Sequence, residues 1–201
     1  MIIVPGPASN TLGEAIAHEL GQEPVFINNR IFPDGESYIQ MPHAVDGETV
    51  VLVQTTAPDP DRKIMQLLFM ARTAKDFGAE RVVAVLPYMA YARQDKRFLE
   101  GEALSFDVVL DLLEAVGVDD TIVIDIHSEE ALAELQSKYT MKIHNLTALF
   151  VLAEYMKKQT YDGAYSLSPD IGRKKIVERV SEVLGGGFAF FEKVRDRYTG
   201  K

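Results

Sequence analysis

The 201-residue sequence predicts an α/β fold with a mostly parallel sheet flanked by helices. Three observations predict it. Short β-branched runs alternate with stretches of helical periodicity along the whole chain, as a series of βαβ units requires. Two of the runs, Val82 to Leu86 and Thr121 to Asp125 (TIVID), are almost continuously apolar, as strands buried on both faces are. Glycines at 21, 78 and 117 stand where helical periodicity stops.

The elements follow in order. Ile2 to Val4 reads as a strand. Thr11-x-x-Glu14 forms a capping box for a helix with Leu12, Ala15, Ile16 and Leu20 on one face, ended by Gly21. Val25 to Ile27 is a short strand. Tyr38 to Met41 and Thr49 to Gln54 read as strands joined through the Asp46-Gly47 turn, an antiparallel excursion. Asp61 caps a long helix whose inner face is Ile64, Leu67, Leu68, Ala71 and Ala74, stopped at Gly78. After the Val82–Leu86 strand, Ser105 caps a helix through Val108, Val109, Leu112, Leu113 and Val116, closed by Gly117. The TIVID strand, a short helix over Glu129 to Gln136 and a strand at Lys142 to His144 complete this series.

The pattern then restarts, with a helix over Thr147 to Lys158, a strand at Tyr165 to Leu167 and a helix over Ile171 to Leu184. The triple glycine 185–187 makes a turn, and Phe188 to Glu192 is a further strand. A domain boundary is therefore expected near residue 146, giving domains 1–146 and 147–201, the second with too few elements to close a sheet. No internal repeat is visible.

Composition excludes several function classes. Thirty acidic against 21 basic residues give a net charge of -9, which argues against nucleic acid or an anionic membrane as the main partner. A phosphorylated small molecule is compatible with it, since a few placed Arg and Lys side chains suffice. With no cysteine there is no disulfide, thiolate metal site or cysteine nucleophile. The N-terminus lacks the basic and apolar regions of a signal peptide, and no apolar run approaches the ~18 residues of a membrane span, so a cytoplasmic protein is expected.

Neither the G-x-x-x-x-G-K-[ST] nor the G-x-G-x-x-G phosphate motif is present, and the triple glycine follows a helix rather than opening one. Four segments at predicted strand ends remain, where open parallel sheets bind ligands. In Leu86–Arg97 (LPYMAYARQDKR) a buried strand runs into a loop dense in Arg, Gln and Asp. It reads equally as a phosphate grip by Arg93 and Gln94 or as a solvated loop with a local ion pair. Asp125-Ile126-His127-Ser128 places a histidine directly after TIVI; a lone histidine is more often a structural hydrogen-bonder than a ligand. Asp170, in Ser168-Pro169-Asp170-Ile171-Gly172, is accounted for by a helix N-cap. Phe32-Pro33-Asp34-Gly35-Glu36 contains Asp-Gly, a common turn.

Together, in this order and spacing, the segments FPDGE, PYMAYARQDKR, DIHS, SPDIG and EKVRDR resemble the ribose-phosphate pyrophosphokinase (phosphoribosyl-diphosphate synthetase) family, and the short EKVRDR loop is closer to its archaeal members. The resemblance covers the whole chain. It implies two phosphoribosyltransferase-like domains, the second incomplete here, assembled into a homo-oligomer. It implies transfer of the terminal diphosphate of ATP to the anomeric hydroxyl of ribose 5-phosphate, giving 5-phosphoribosyl 1-diphosphate and AMP with Mg2+ as cofactor. Carried over residue by residue, Arg93 and Gln94 would bind ATP. Phe32, Asp34, Gly35 and Glu36 would form the adenine segment, presented to a neighbouring subunit, with Phe32 stacking and the acids accepting from the exocyclic amine. His127 and Asp170 match magnesium positions, the histidine acting through water because magnesium prefers oxygen. Lys193 and Arg195 match the catalytic loop, and Arg195 would also touch ribose 5-phosphate.

One departure stands out. Family members continue past this loop to a Ser/Thr-Gly-Gly-Thr segment that cradles the 5-phosphate of ribose, and nothing in residues 1–201 matches it. The expectation is a C-terminally shortened chain, inactive alone, or else a non-catalytic regulatory subunit of such an enzyme.

Overall fold

The structure, a computed structural model, describes residues 1–41 and 44–192. The chain divides into two compact units, Met1–Leu146 and a second from Thr147 onward.

The first unit is built on a five-stranded, fully parallel sheet. Its strands are β1 (Ile2–Pro5), β4 (Thr49–Val53), β5 (Arg81–Leu86), β6 (Asp120–Ile124) and β7 (Lys142–Leu146), side by side in that order. Helices α1 (Asn10–Glu19), α2 (Pro60–Asp76), α3 (Ser105–Ala115) and α4 (Glu129–Gln136) make the crossovers. Strand alternation sorts the core. Val4, Val50, Leu52, Val82, Ala84 and Leu86 pack with α2, α3 and α4, while Ile3, Val51, Val53, Val83 and Val85 pack with Ile16 and Ala17 of α1. The chain leaving α1 returns beside β1, where Val25 N–H donates to the Ile3 carbonyl at 2.9 Å and Pro24 bridges Ile3 in parallel. β4 lies on the other side of β1, so the winding reverses between these two strands. The carboxyl ends of β1, β4, β5 and β6 thus border a topological switch point, where sheets of this kind hold ligands.

Several sequence expectations are corrected here. The antiparallel pair is β2 (Asn28–Ile31) with β3 (Ser37–Gln40), and its turn is Phe32–Glu36 rather than Asp46–Gly47. β4 belongs to the parallel sheet, because its continuous apolar run needs cover on both faces. On α1 the buried residues are Gly13 and Ala17, and Leu12 and Leu20 are exposed. The capping box does not form. Ser9 occupies the N-cap, and its hydroxyl instead accepts from Thr55 N–H at 2.7 Å, tying the β1 and β4 loops together. α2 buries its expected face, but its cap is Asp59, and Asp61 lies in the first turn. α3 starts at Ser105 and buries Phe106, Val109, Leu110 and Leu113, leaving Val108 and Leu112 exposed.

The amino ends of the strands are tied by charge. Arg81 donates to buried Asp120 at 2.6 and 2.7 Å, and His144 lies 3.1 Å from the other carboxylate oxygen. Burial alone would raise the Asp120 carboxyl; Arg81 and His144 outweigh it and hold it below the ordinary range.

The second unit holds α5 (Leu149–Met156), which widens into a π-helical turn over Lys157–Tyr161, then β8 (Ser166–Ser168), a 3-10 turn (Ile171–Arg173), α6 (Lys174–Leu184) and β9 (Phe188–Phe190). β8 and β9 are parallel, joined by α6 as one βαβ crossover. Gly185, at φ 81°, closes α6 in the left-handed conformation that glycine accepts without strain. No helix among the described residues is long and apolar enough to cross a membrane.

Candidate functional site

The loops at the carboxyl end of the parallel sheet carry an unusual amount of backbone strain. The three non-glycine residues with positive φ among the described residues are Asp59 (63°), Tyr91 (64°) and Asp125 (48°). They follow β4, β5 and β6, three neighbouring strands. Asp tolerates this region; a bulky Tyr rarely does, and such residues cluster where a site needs an unusual direction of chain.

The loop after β5 is pinned from below. Met89, Ala90 and Ala92 are buried in the main core, while Tyr88, Tyr91 and Arg93 point outward. Ala90 N–H donates to the Thr56 hydroxyl at 2.7 Å, and that hydroxyl donates to the Tyr88 carbonyl at 2.8 Å. The Tyr91 hydroxyl donates to the Asp61 carboxylate, which raises the tyrosine above its ordinary value, with a smaller contribution from burial. Gln94 N–H closes a turn onto the Tyr91 carbonyl at 2.9 Å, and the Gln94 carbonyl accepts from Phe106 N–H at 3.4 Å.

Among the described residues Arg93 and Lys96 make no ion pair, so the local ion pair considered for this loop is not formed. Lys96 instead lies 5.3 Å from the centre of the Phe98 ring. Arg97 donates to the Glu102 carbonyl at 2.8 Å, and the Glu102 carboxyl is held below its ordinary range by the N–H groups of Phe98 and Leu99. The result is a loop whose scaffold is satisfied internally and whose Arg93 guanidinium faces solvent.

The Phe32–Glu36 turn sits at the same end. Gln66 of α2 donates to the Ser37 hydroxyl at 3.2 Å. A cleft of about 440 Å³ is lined by Gly35, Glu36, Ser37, Asp61, Arg62, Met65 and Phe69. Asp61 therefore touches both the hairpin cleft and Tyr91. Within the turn, Asp34 accepts from Glu36 N–H at 3.1 Å, and Gly35 takes φ 95°. The Arg30 guanidinium lies 4.9 Å from the Phe32 ring centre and 4.5 Å from that of Tyr38, backing the Phe32 ring with a cation.

After β6, Asp125 N–H donates to the Leu146 carbonyl at 2.8 Å and Ile126 N–H to the Asn145 side chain at 3.0 Å, which fixes the turn carrying exposed His127. Ser128 caps α4, accepting from Ala131 N–H at 3.1 Å. In the second unit, half-buried Asp170 occupies the N-cap position of the 3-10 turn, as expected, without a side-chain capping hydrogen bond there. Lys193 and Arg195 lie outside the described residues.

Among the described residues no three His, Asp or Glu side chains gather as a metal cage. A magnesium ion does not require one. It keeps several waters and is held mainly by phosphate oxygens with one or two protein contacts.

The sequence reading missed Thr56, Tyr91, Asp61 and Arg30. Pro60 offered only a positional signal, since proline favours the first helical position and so places Asp61 in the first turn of α2.

Comparison with known proteins gives a consistent result. Residues 1–117 match the family model described as the N-terminal domain of ribose phosphate pyrophosphokinase. The ribose-phosphate pyrophosphokinase of Saccharolobus solfataricus is 36% identical over 203 aligned residues, covering 100% of this chain and 67% of that protein. That of Methanothermobacter thermautotrophicus is 37% identical over 194, covering 96% and 66%. The crystal structure of phosphoribosylpyrophosphate synthetase from Mycobacterium smegmatis is similar with a TM-score of 0.85 at 28% identity, covering 97% of this chain and 65% of that one. The chain thus spans about two thirds of the length of these relatives.

Proposed function

The chain belongs to the ribose-phosphate pyrophosphokinase family, and on that premise we propose that its first unit carries the ATP half of a diphosphate transfer from ATP to ribose 5-phosphate. The observation that carries the reading is the Pro87–Gln94 loop: held by Thr56, Asp61 and the core, it presents Arg93 unpaired beyond β5.

The chemistry asks for such a group. A sugar hydroxyl attacks the β-phosphorus, AMP departs, and charge grows on phosphoryl oxygens in the transition state. Arg93 meets those oxygens with a planar two-pronged donor, and Gln94 adds an amide donor. Asp34 and Glu36 supply acceptors for the adenine amine and Phe32 a stacking face, offered to the nucleotide of a neighbouring copy in a homo-oligomer. Mg2+, held mainly by triphosphate oxygens, would neutralise charge between the phosphates, and His127 through water and Asp170 directly are each a candidate protein contact. Lys193 and Arg195 match the family's catalytic loop, and loss of Lys193 in a full-length relative is expected to lower turnover by ~10²-fold, as loss of one charge-stabilising donor does.

Calorimetric titration of the chain with Mg-ATP is expected to show binding, and Arg93→Ala to weaken it by about tenfold or more, the worth of a charge-assisted contact. A wild-type chain that binds no nucleotide sinks the reading. Residues 1–201 lack the Ser/Thr-Gly-Gly-Thr loop, so AMP release with ribose 5-phosphate should be negligible for the chain alone. A second reading, a regulatory subunit, predicts that adding the chain to an active relative changes that enzyme's rate, and an unchanged rate removes it.

A further inference from the structure

Tyr91 presents a mechanical problem. Its backbone is left-handed at φ 64°, a conformation that costs a bulky residue energy, and its side chain is exposed, so burial does not hold it there. Buried Ala90 and Ala92 anchor the backbone on either side, and the side chain itself is tied to the Asp61 carboxylate, thirty residues away on the first turn of α2. The two residues that follow are buried Ala92 and exposed Arg93, so the direction in which Arg93 leaves the sheet is set at Tyr91. Gln94 depends on it too, because its N–H closes on the Tyr91 carbonyl.

We infer that Asp61 is a positioning residue for nucleotide binding: by accepting the Tyr91 hydroxyl it fixes the strained turn that aims Arg93 and Gln94. The inference rests on the reading that these two side chains bind ATP. Asp61 has no reason of its own to contact the triphosphate, because a carboxylate repels it. Its charge is a cost there, and its value lies in being an acceptor. Asp61 also lines the cleft with Gly35 and Glu36, so one side chain braces the phosphate loop against the hairpin side of the site.

The acceptor argument separates hydrogen bonding from charge. Asp61→Ala and Tyr91→Phe each remove the bond; Asp61→Asn keeps an acceptor oxygen and removes the charge. Calorimetric Kd values for Mg-ATP should rise about 3- to 10-fold in Asp61→Ala and in Tyr91→Phe, the range that one charge-assisted hydrogen bond can transmit. Asp61→Asn should bind within about twofold of wild type, and the double variant should bind no worse than either single one, as for two partners in a single contact. Amide hydrogen exchange over residues 89–94 should quicken in Asp61→Ala and stay at the wild-type rate in Asp61→Asn. Melting temperatures should hardly move, which a merely structural role would not allow.

If Arg93→Ala loses affinity while Asp61→Ala and Tyr91→Phe bind as wild type, the positioning role is overturned and the ATP reading survives. If Asp61→Asn binds as weakly as Asp61→Ala, or exchange over residues 89–94 is unaltered, the role is likewise overturned. A wild-type chain that binds no Mg-ATP overturns both.

Discussion

The hydroxyl of Thr56 is the clearest place to perturb the architecture of the site without touching its chemistry. Thr56 is buried, and its Oγ1 accepts from Ala90 N–H at 2.7 Å while donating to the Tyr88 carbonyl at 2.8 Å. In Thr56→Val the carbonyl keeps a partner, the Thr56 backbone N–H at 3.1 Å, but Ala90 N–H loses its own. The space alongside is lined by Ile64, Leu67, Leu86, Met89, Val109 and Leu113 and has no room for a water to take the place of the hydroxyl. An orphaned buried N–H costs about 1–3 kcal/mol. Exchanging hydroxyl for methyl in apolar surroundings returns up to about 0.8 kcal/mol. The net loss is about 1–2 kcal/mol, and at about 2–4 °C per kcal/mol for a chain of this size the melting temperature should fall by about 2–8 °C. Thr56→Ser keeps the hydroxyl, gives up one methyl, and should lose less. Thermal unfolding followed by circular dichroism reads both. An unchanged midpoint in Thr56→Val, or an equal fall in Thr56→Ser, would refute the claim that this hydroxyl holds the loop.

Two further predictions concern the scaffold. Gly13→Ala would ordinarily gain about 1 kcal/mol of helix propensity. Here the added Cβ would stand 2.7 Å from Pro5 Cβ and 2.9 Å from Pro5 Cα, backbone that cannot swing away, so the variant should melt below wild type; a higher melting temperature would show that α1 can slide off β1. Asp107 is held below its ordinary range first by the hydrogen bond from Lys138, then by that from Tyr139. A carboxyl depressed in the folded state stabilises above its unfolded pKa and loses that stabilisation as pH falls through the folded value. The stability gap between wild type and Asp107→Asn should therefore be constant above about pH 5 and narrow below about pH 4. Urea midpoints at pH 6, 5, 4 and 3 test it, and a gap of constant size down to pH 3 counts against the network.

The sequence exposed the fold wherever one force dominated. The inner face of α2 was legible because Ile64, Leu67, Leu68, Ala71 and Ala74 are both apolar and spaced for one side of a helix, and all are buried. The faces of α1 and α3 were legible only in part, since Ile16, Val109, Leu113 and Val116 pack against the core as expected while Leu12, Leu20, Val108 and Leu112 face out. On α1, the sheet is met by Gly13 and Ala17, four residues apart, because small side chains let the helix approach Pro5 closely; hydrophobicity points to Leu12 and Leu20, which face out. The hairpin was misplaced for a similar reason. Asp46-Gly47 and Asp34-Gly35 are equal turn signals locally, and the difference lies in the partner of β4, which is β1 on one side and β5 on the other. That pairing depends on residues 30 to 50 positions away in the chain.

The site divides along the same line. Arg93, Gln94, His127 and the FPDGE turn could be picked out by their joint order and spacing at predicted strand ends, which resemble the family, although each alone reads as a loop, a common turn or a structural histidine. Thr56, Asp61 and Tyr91 could not, because nothing about an isolated Thr, Asp or Tyr announces a partner 30 or more residues away. Under the proposed function, these set how the visible residues are aimed. A guanidinium on a free loop gives up much of its binding energy in becoming ordered; one already aimed by a satisfied scaffold gives up less. The strained residues after β4, β5 and β6 record that arrangement in the backbone, since positive φ at Asp59, Tyr91 and Asp125 persists only where surrounding contacts over-determine it. Resemblance to the family names the groups proposed to touch a nucleotide. The contacts that make those groups rigid become visible only once parallel strands bring distant loops to one end of the sheet.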